Sequence, residues 1–253
     1  ESTVLSFGTR HVHPALGAVV ERSALLAGLD GLSNVAAGDV IDREAGGTMP
    51  HALMLCFGRG NQEDAWAAFD RSAPAETPRV ALCDTFEDEV EESRRAAEMG
   101  FDSVRIDTTS SRRGDFRHIL REVRFWLDSE GHEDVGVFAS GGLGPERLRE
   151  LRDVADGFGV GSYVSNADPL DFALDIVAVD GEPTAKRGKL PGKKAVYRTA
   201  DGGHEVALAD ADHPGERLLE PLVRDGEVVR EFDLDEARER AAEDAERVLG
   251  IPP

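Results

Sequence analysis

Over the first two-thirds of the chain, short apolar runs alternate with longer stretches in which apolar residues recur every three or four positions. The short runs read as buried strands and the longer ones as amphipathic helices. Residues 3–7 (TVLSF), 31–35, 79–83, 103–107, 135–139 and 157–162 are the predicted strands. Residues 14–27, 61–72, 84–100, 115–129 and 144–155 are the predicted helices, with Pro14 and Pro145 in first turns and Asn61 and Asp64 as entry signals. Asp84 and Glu87 have the spacing of a capping box for the 84–100 helix. Residues 48–55 form one further apolar segment. Repeated β–α units of this length imply a parallel sheet, open or closed into a barrel.

After Asp175 the texture changes. Residues 176–179, 195–199, 205–209 and 227–232 read as short strands separated by turn residues, and a final helix over 234–249 opens with Asp233 and Glu236 in capping-box spacing. The expected division is therefore an α/β core over 1–175 and a smaller, mainly β module with the terminal helix over 176–253. The chain opens on Glu1 and enters a strand within three residues, the start expected of a fragment or processed product.

Composition narrows the function. The 253 residues carry 50 Asp and Glu against 29 Lys and Arg, a net charge of -21. Both a nucleic-acid partner and an anionic membrane surface call for a broad basic face, which this balance argues against. Only four residues are Lys, and a dense acidic surface with so little Lys fits a salt-loaded cytoplasm. No apolar run approaches the roughly 18 residues of a membrane span, so a cytoplasmic location is expected. Cys56 and Cys83 each lie in an apolar stretch and read as buried free thiols.

In parallel α/β folds, ligands gather at the carboxyl ends of strands. Arg10, Asp84, Arg105, Asp107, Ser140-Gly141-Gly142, Gly161 and Ser162 all follow predicted strands. Singly, the glycine turns make tight bends; as a pair on consecutive β–α units, SGGLGPE and GVGS point to a phosphate site. His51 taken alone reads as a core histidine. His11 and His13 form an H-x-H pair that no neighbouring ligand completes as a zinc site. Lys186, Arg187, Lys189, Lys193, Lys194 and Arg198 place six positive charges and no acid within 13 residues, which suits a polyphosphate. With no Lys in residues 1–185, a Schiff-base mechanism is excluded, and the P-loop, the nucleophile elbow and the dinucleotide fingerprint are all missing.

These residues fall into ordered motifs: FGTRHVHP (7–14), GLSNVAAG (31–38), GGTMPHA (46–52), VRIDTTS (104–110), FASGGL (138–143), GVGSYVSN (159–166) and KRGKLPGKKAVYR (186–198). In this order they resemble the nicotinate phosphoribosyltransferase family, with its nicotinamide and quinolinate relatives. The resemblance implies an irregular TIM-like α/β barrel beside a smaller α+β or β-sandwich domain built from both ends of the chain, with the amino-terminal half of that domain lying before Glu1. It implies transfer of a phosphoribosyl group from 5-phosphoribosyl-1-pyrophosphate to nicotinate in NAD biosynthesis, with Mg²⁺, ATP as co-substrate and a homo-oligomer sharing active sites. Residue by residue, it implies Arg10 and Arg105 on the nicotinate carboxylate or a neighbouring phosphate, and Asp84 and Asp107 on ribose hydroxyls or Mg²⁺. Ser140, Gly141, Gly142, Gly161 and Ser162 would cradle the 5-phosphate, and Lys186 and Arg187 would meet pyrophosphate. His51 matches the histidine that the family phosphorylates from ATP. Ser33, where nicotinamide-using relatives have an acid, favours the acid substrate over the amide. Rival expectations are quinolinate or nicotinamide as substrate, or a non-catalytic phosphate-binding or assembly fragment.

Overall fold

A computed structural model describes residues 2–75, 77–108 and 114–250. It divides into two compact units: residues up to Ala167 together with those from Leu234 onward, and Asp168–Asp233.

The larger unit is built on a six-stranded, wholly parallel sheet. In chain order its elements are β1 (Thr3–Ser6), α1 (Gly17–Leu26), β2 (Gly31–Leu32), α2 (Val35–Ile41), α3 (His51–Phe57), α4 (Gln62–Ser72), β3 (Val80–Leu82), α5 (Glu89–Glu98), β4 (Ser103–Ile106), α6 (Phe116–Ser129), β5 (Gly136–Ser140), α7 (Pro145–Leu151), β6 (Gly157–Val160) and α8 (Ser162–Ser165). The strand order is β2-β1-β6-β5-β4-β3. Strands such as VAL at 80–82 and GFGV at 157–160 are buried throughout, as expected where helices cover a parallel sheet. The helices show why they form. In α6, Phe116, Leu120, Val123 and Leu127 recur on one face and are all buried, and the Asp115 carboxylate accepts the Arg117 and His118 N–H groups at its start.

Two predicted elements change type or position. Residues 48–55 are not one apolar run: Pro50 closes an irregular approach and α3 begins at His51. The helix expected from Asp84 starts at Glu89, with Asp88 as its cap accepting from the Val90 N–H. Asp84 is instead drawn inward, because the intervening turn is held by Glu92. That buried carboxylate accepts the N–H groups of Thr85, Phe86 and Glu87 at 3.0, 2.8 and 2.6 Å. Cys83 is buried as expected, but Cys56 is exposed.

The terminal helix, α9 (Leu234–Leu249), belongs to the larger unit and packs against α1. Arg238 donates to Leu29 O and Gly28 O in the turn that follows α1 (2.9 and 3.0 Å), and Arg43 pairs with Asp235 at 2.7 Å. The expected grouping of 176–253 as one module is corrected accordingly, since the partners of α9 are distant in sequence.

The smaller unit holds β7 (Ala178–Val179) paired with β8 (Glu182–Pro183), a sheet in the order β10-β9-β11, and the β12–β13 hairpin, all antiparallel. Here β9 is Lys194–Arg198, β10 His204–Leu208, β11 Glu216–Arg217, β12 Val223–Arg224 and β13 Glu227–Val228. The basic stretch lies in this unit and is less free than its sequence window suggests. Lys186 and Lys189 both reach Asp175, at 2.7 and 2.9 Å, and Arg198 reaches Glu216 at 3.7 Å. These acids lie outside the 13-residue window.

Candidate active site

A cavity of about 500 Å³ opens at the carboxyl ends of the parallel strands. Ten predicted residues line it: Arg10, Ser33, His51, Arg105, Asp107, Ser140, Gly141, Gly142, Gly161 and Ser162. They come from five strand ends and the start of α3, so the sheet topology alone brings together residues up to 150 positions apart. Asp84 lies behind this surface, and Lys186 and Arg187 belong to the smaller unit. The last two residues of the VRIDTTS motif, 109 and 110, lie outside the described residues.

The Phe7 ring lines the floor, and glycine makes room for it and for the Phe138 ring behind it. A Cβ on Gly157 would come within 2.4 Å of the Phe138 ring, and one on Gly159 within 2.4 Å of the Phe7 ring. With both side chains missing, the two rings stack at 6.3 Å between centroids. The Arg105 guanidinium lies over Phe7 at 5.7 Å, donates to Met49 O at 2.9 Å and reaches Ser140 Oγ at 3.3 Å. Burial pushes the Arg105 pKa down; the Asp107 and Asp84 carboxylates oppose that shift. Ser140 Oγ in turn donates to Asp107 Oδ1 at 2.7 Å.

His51 stands between two carboxylates. Its Nε2 is 2.9 Å from Asp84 Oδ1, and its Nδ1 is 3.7 Å from Asp107 Oδ2. The Asp84 side chain is fully buried. Its Oδ2 accepts the Asp107 N–H at 2.7 Å and the Thr108 hydroxyl. Burial raises the Asp84 pKa, but the bonds from His51, Thr108 and Asp107 outweigh it and hold the carboxyl below its ordinary value. The hydrogen bond to Asp84 is the main cause that raises the His51 pKa; burial acts against it. Asp84, expected on ribose or Mg²⁺, is not among the residues lining the cavity; it is buried behind it with its carboxylate against the His51 ring. Because Asp84 binds Nε2–H, neutral His51 carries its lone pair on Nδ1.

Gly141 shapes the rim. Its φ is +94°, and a Cβ there would lie 2.1 Å from Asp107 O. Gly141→Ala is expected to destabilise the protein by about 2–4 kcal/mol, combining left-handed strain with a backbone clash. Thermal unfolding checks this, and an unchanged melting temperature contradicts it.

Several lining residues were not singled out from sequence, among them Phe7, Thr9, Thr48 and Met49. Each lies inside a quoted motif, so adjacency to a strand end was the available signal. His11 lines the cavity, whereas His13 caps a turn by accepting the Ala15 N–H at 3.2 Å.

Among the described residues, a strand-end cavity lined by guanidiniums, a carboxylate-flanked histidine and glycine turns lies where parallel α/β folds hold their ligands. The chain belongs to the family described as quinolinate phosphoribosyl transferase, C-terminal domain, which its residues 1–175 match. It is 34% identical over 271 residues to a nicotinate phosphoribosyltransferase of Mycobacterium tuberculosis, covering 99% of this chain and 56% of that protein. The chain thus spans about half the length of the curated relatives it matches. The structure of a nicotinate-nucleotide pyrophosphorylase from Pyrococcus furiosus is 46% identical, with a TM-score of 0.85 over 97% of this chain and 66% of that one. Human nicotinic acid phosphoribosyltransferase, at 20% identity, shares the fold with a TM-score of 0.75, covering 95% of this chain and 64% of that one.

Proposed function

We propose that the protein is a nicotinate phosphoribosyltransferase, joining nicotinate to the phosphoribosyl group of 5-phosphoribosyl-1-pyrophosphate and releasing pyrophosphate, with ATP coupling through His51. The sheet is read as part of an irregular barrel whose mouth is the cavity. The observation that carries the reading is the convergence of Arg10, Arg105, Asp107 and the two glycine turns around one cavity in a chain 34% identical to a named nicotinate enzyme.

The chemistry needs little from the protein beyond placement and charge. The pyridine nitrogen is already a nucleophile, and the ribose C1 passes through an oxocarbenium-like state as pyrophosphate departs. The aromatic floor suits the planar ring, and a guanidinium suits its carboxylate. Asp107 is the partly exposed acid facing the cavity, placed to meet developing positive charge. A single carboxylate suits Mg²⁺, which is commonly held by one or two carboxylates plus substrate phosphates; it would neutralise the departing pyrophosphate. Among the described residues Arg10 and Arg105 bring guanidiniums to the cavity, one for the nicotinate carboxylate and one for a phosphate. Ser33 places no negative charge against an acid substrate, which favours nicotinate over nicotinamide. Lys186 and Arg187 are proposed as pyrophosphate contacts within a homo-oligomer.

Product formation from nicotinate, nicotinamide and quinolinate, each with and without ATP, tests this. Turnover of quinolinate alone would overturn it, and no turnover by the full-length protein would favour a binding fragment. His51→Ala should abolish ATP stimulation while leaving residual transfer. The pH dependence has a definite sign. Only neutral His51 offers Nδ1 as nucleophile, and its pKa is raised, so phosphohistidine formation should increase as pH rises through that raised pKa. The stability supplied by the His51–Asp84 pair runs the other way: it is complete below the ordinary histidine pKa and lost as pH rises through the raised one. Phosphorylation that falls with rising pH would contradict the assignment.

A further inference from the structure

Behind the cavity wall lies a buried acid that the chemistry above does not use. Glu21, on α1, is 0% exposed, and neither of its carboxylate oxygens has a close, well-aligned hydrogen bond among the described residues. The hydroxyl of Ser6, at the end of β1, is likewise buried without a close, well-aligned bond. The groups facing Glu21 are that hydroxyl and the main chain of Ser33 and Asn34, in the turn from β2 to α2. None carries a charge, so burial is the main influence on the carboxyl and raises its pKa.

Both neighbours of Glu21 lead directly into the cavity. Ser6 precedes Phe7, whose ring lies under Arg105. Ser33 lines the cavity, and Asn34 fixes the turn by accepting the Ala37 N–H at 2.8 Å and donating to Thr9 Oγ1 at 3.2 Å, with Thr9 again in the lining. A buried carboxyl faced only by neutral groups is costly unless it has a task.

We propose that Glu21 is a positioning residue, linking the end of β1 to the Ser33–Asn34 turn and so setting Ser33 against the ring substituent of the pyridine substrate. The inference rests on the pyridine reading of the cavity. A carboxyl can meet a hydroxyl on one side and main-chain N–H groups on the other. The more burial holds off its ionisation, the less negative charge lies behind Ser33 to repel a substrate carboxylate.

In the full-length protein, steady-state kinetics of wild type, Glu21→Gln and Glu21→Leu test this. Glu21→Gln, isosteric with the neutral acid, should keep KM for nicotinate within about threefold at the acid end of the pH range. Glu21→Leu, checked for folding by thermal denaturation, should raise that KM by about tenfold or more and leave KM for 5-phosphoribosyl-1-pyrophosphate within about threefold. As pH rises, the ratio of nicotinate KM in wild type to that in Glu21→Gln should climb, because only the wild type can ionise at this position. A folded Glu21→Leu with unchanged nicotinate KM overturns the proposal, as does a loss spread equally over both substrates. If Glu21→Leu does not fold, a KM ratio independent of pH overturns it. The wild-type arm reports separately whether nicotinate is a substrate; if another pyridine is used, the same ratios taken with that pyridine decide the role of Glu21.

Discussion

Asp84→Asn should lower ATP-dependent phosphorylation of His51 by about a thousand- to ten-thousand-fold while leaving the protein folded. The reason is tautomeric. Asp84 Oδ2 accepts the Asp107 N–H, a group that can only donate, so the oxygen of an asparagine must stay on that side. Its NH₂ then faces His51 Nε2, which has to become an acceptor. The ring proton moves to Nδ1, toward Asp107 Oδ2, and the lone pair needed for attack on ATP is gone. A wrong tautomer of this kind costs about 10⁴ in catalytic histidines held by a carboxylate. Thr108 can still donate to the amide oxygen, so the buried cluster stays satisfied and unfolding changes little. A second readout separates this from a general loss of structure: without the Asp84 charge, the main influence raising the His51 pKa is removed, and its titration should move to lower pH. Rapid-quench measurement of phosphohistidine and NMR titration of the ring check the two effects. Wild-type phosphorylation in Asp84→Asn would overturn the role given to Asp84.

That role also marks where sequence reading stops. The alternation of strands and helices, the parallel sheet and ten of the cavity residues were legible because all of the ten but His51 lie at strand ends, and a parallel sheet carries such ends to one side. What a side chain does at a strand end is not set by periodicity. Asp84 and Asp107 look alike in sequence, yet the turn pinned by Glu92 buries one, while the other stays partly open. The same holds for Gly157 and Gly159, which read as part of a strand but serve as clearance for two rings, one just after β1 and one in β5. The terminal helix is the clearest case at the level of the fold. Its own pattern predicts a helix, but where it packs depends on partners distant in sequence: the Gly28 and Leu29 carbonyls in the turn after α1, and Arg43 beyond α2.

Arg105→Lys should lower kcat/KM for nicotinate by roughly 10²–10³, although the charge is kept. Arg105 is only 7% exposed, and its planar fork does three things at once: it holds Met49 O, reaches Ser140 Oγ and covers the Phe7 ring. An ammonium is a compact point charge on a flexible stem and cannot span these partners in one plane. Losing the bond to Ser140 also loosens Asp107, because Ser140 Oγ is the group that donates to Asp107 Oδ1. Truncating one member of a buried, hydrogen-bonded charge cluster costs about 2–5 kcal/mol, which sets the scale of the expected loss. The substitution should act mainly through KM for nicotinate if Arg105 binds the carboxylate, since an interaction present in both ground and transition states leaves kcat nearly unchanged. Loss in kcat alone would instead assign Arg105 to the transition state through Asp107. Arg105→Ala should be worse in a different way. It leaves Met49 O without its donor and removes the cation that faces both Asp84 and Asp107, so it should cost stability as well, about 3–5 kcal/mol. Comparing the two variants by kinetics and by thermal unfolding separates geometry from charge: if Arg105→Lys matches wild type, the planar fork is not what the site uses.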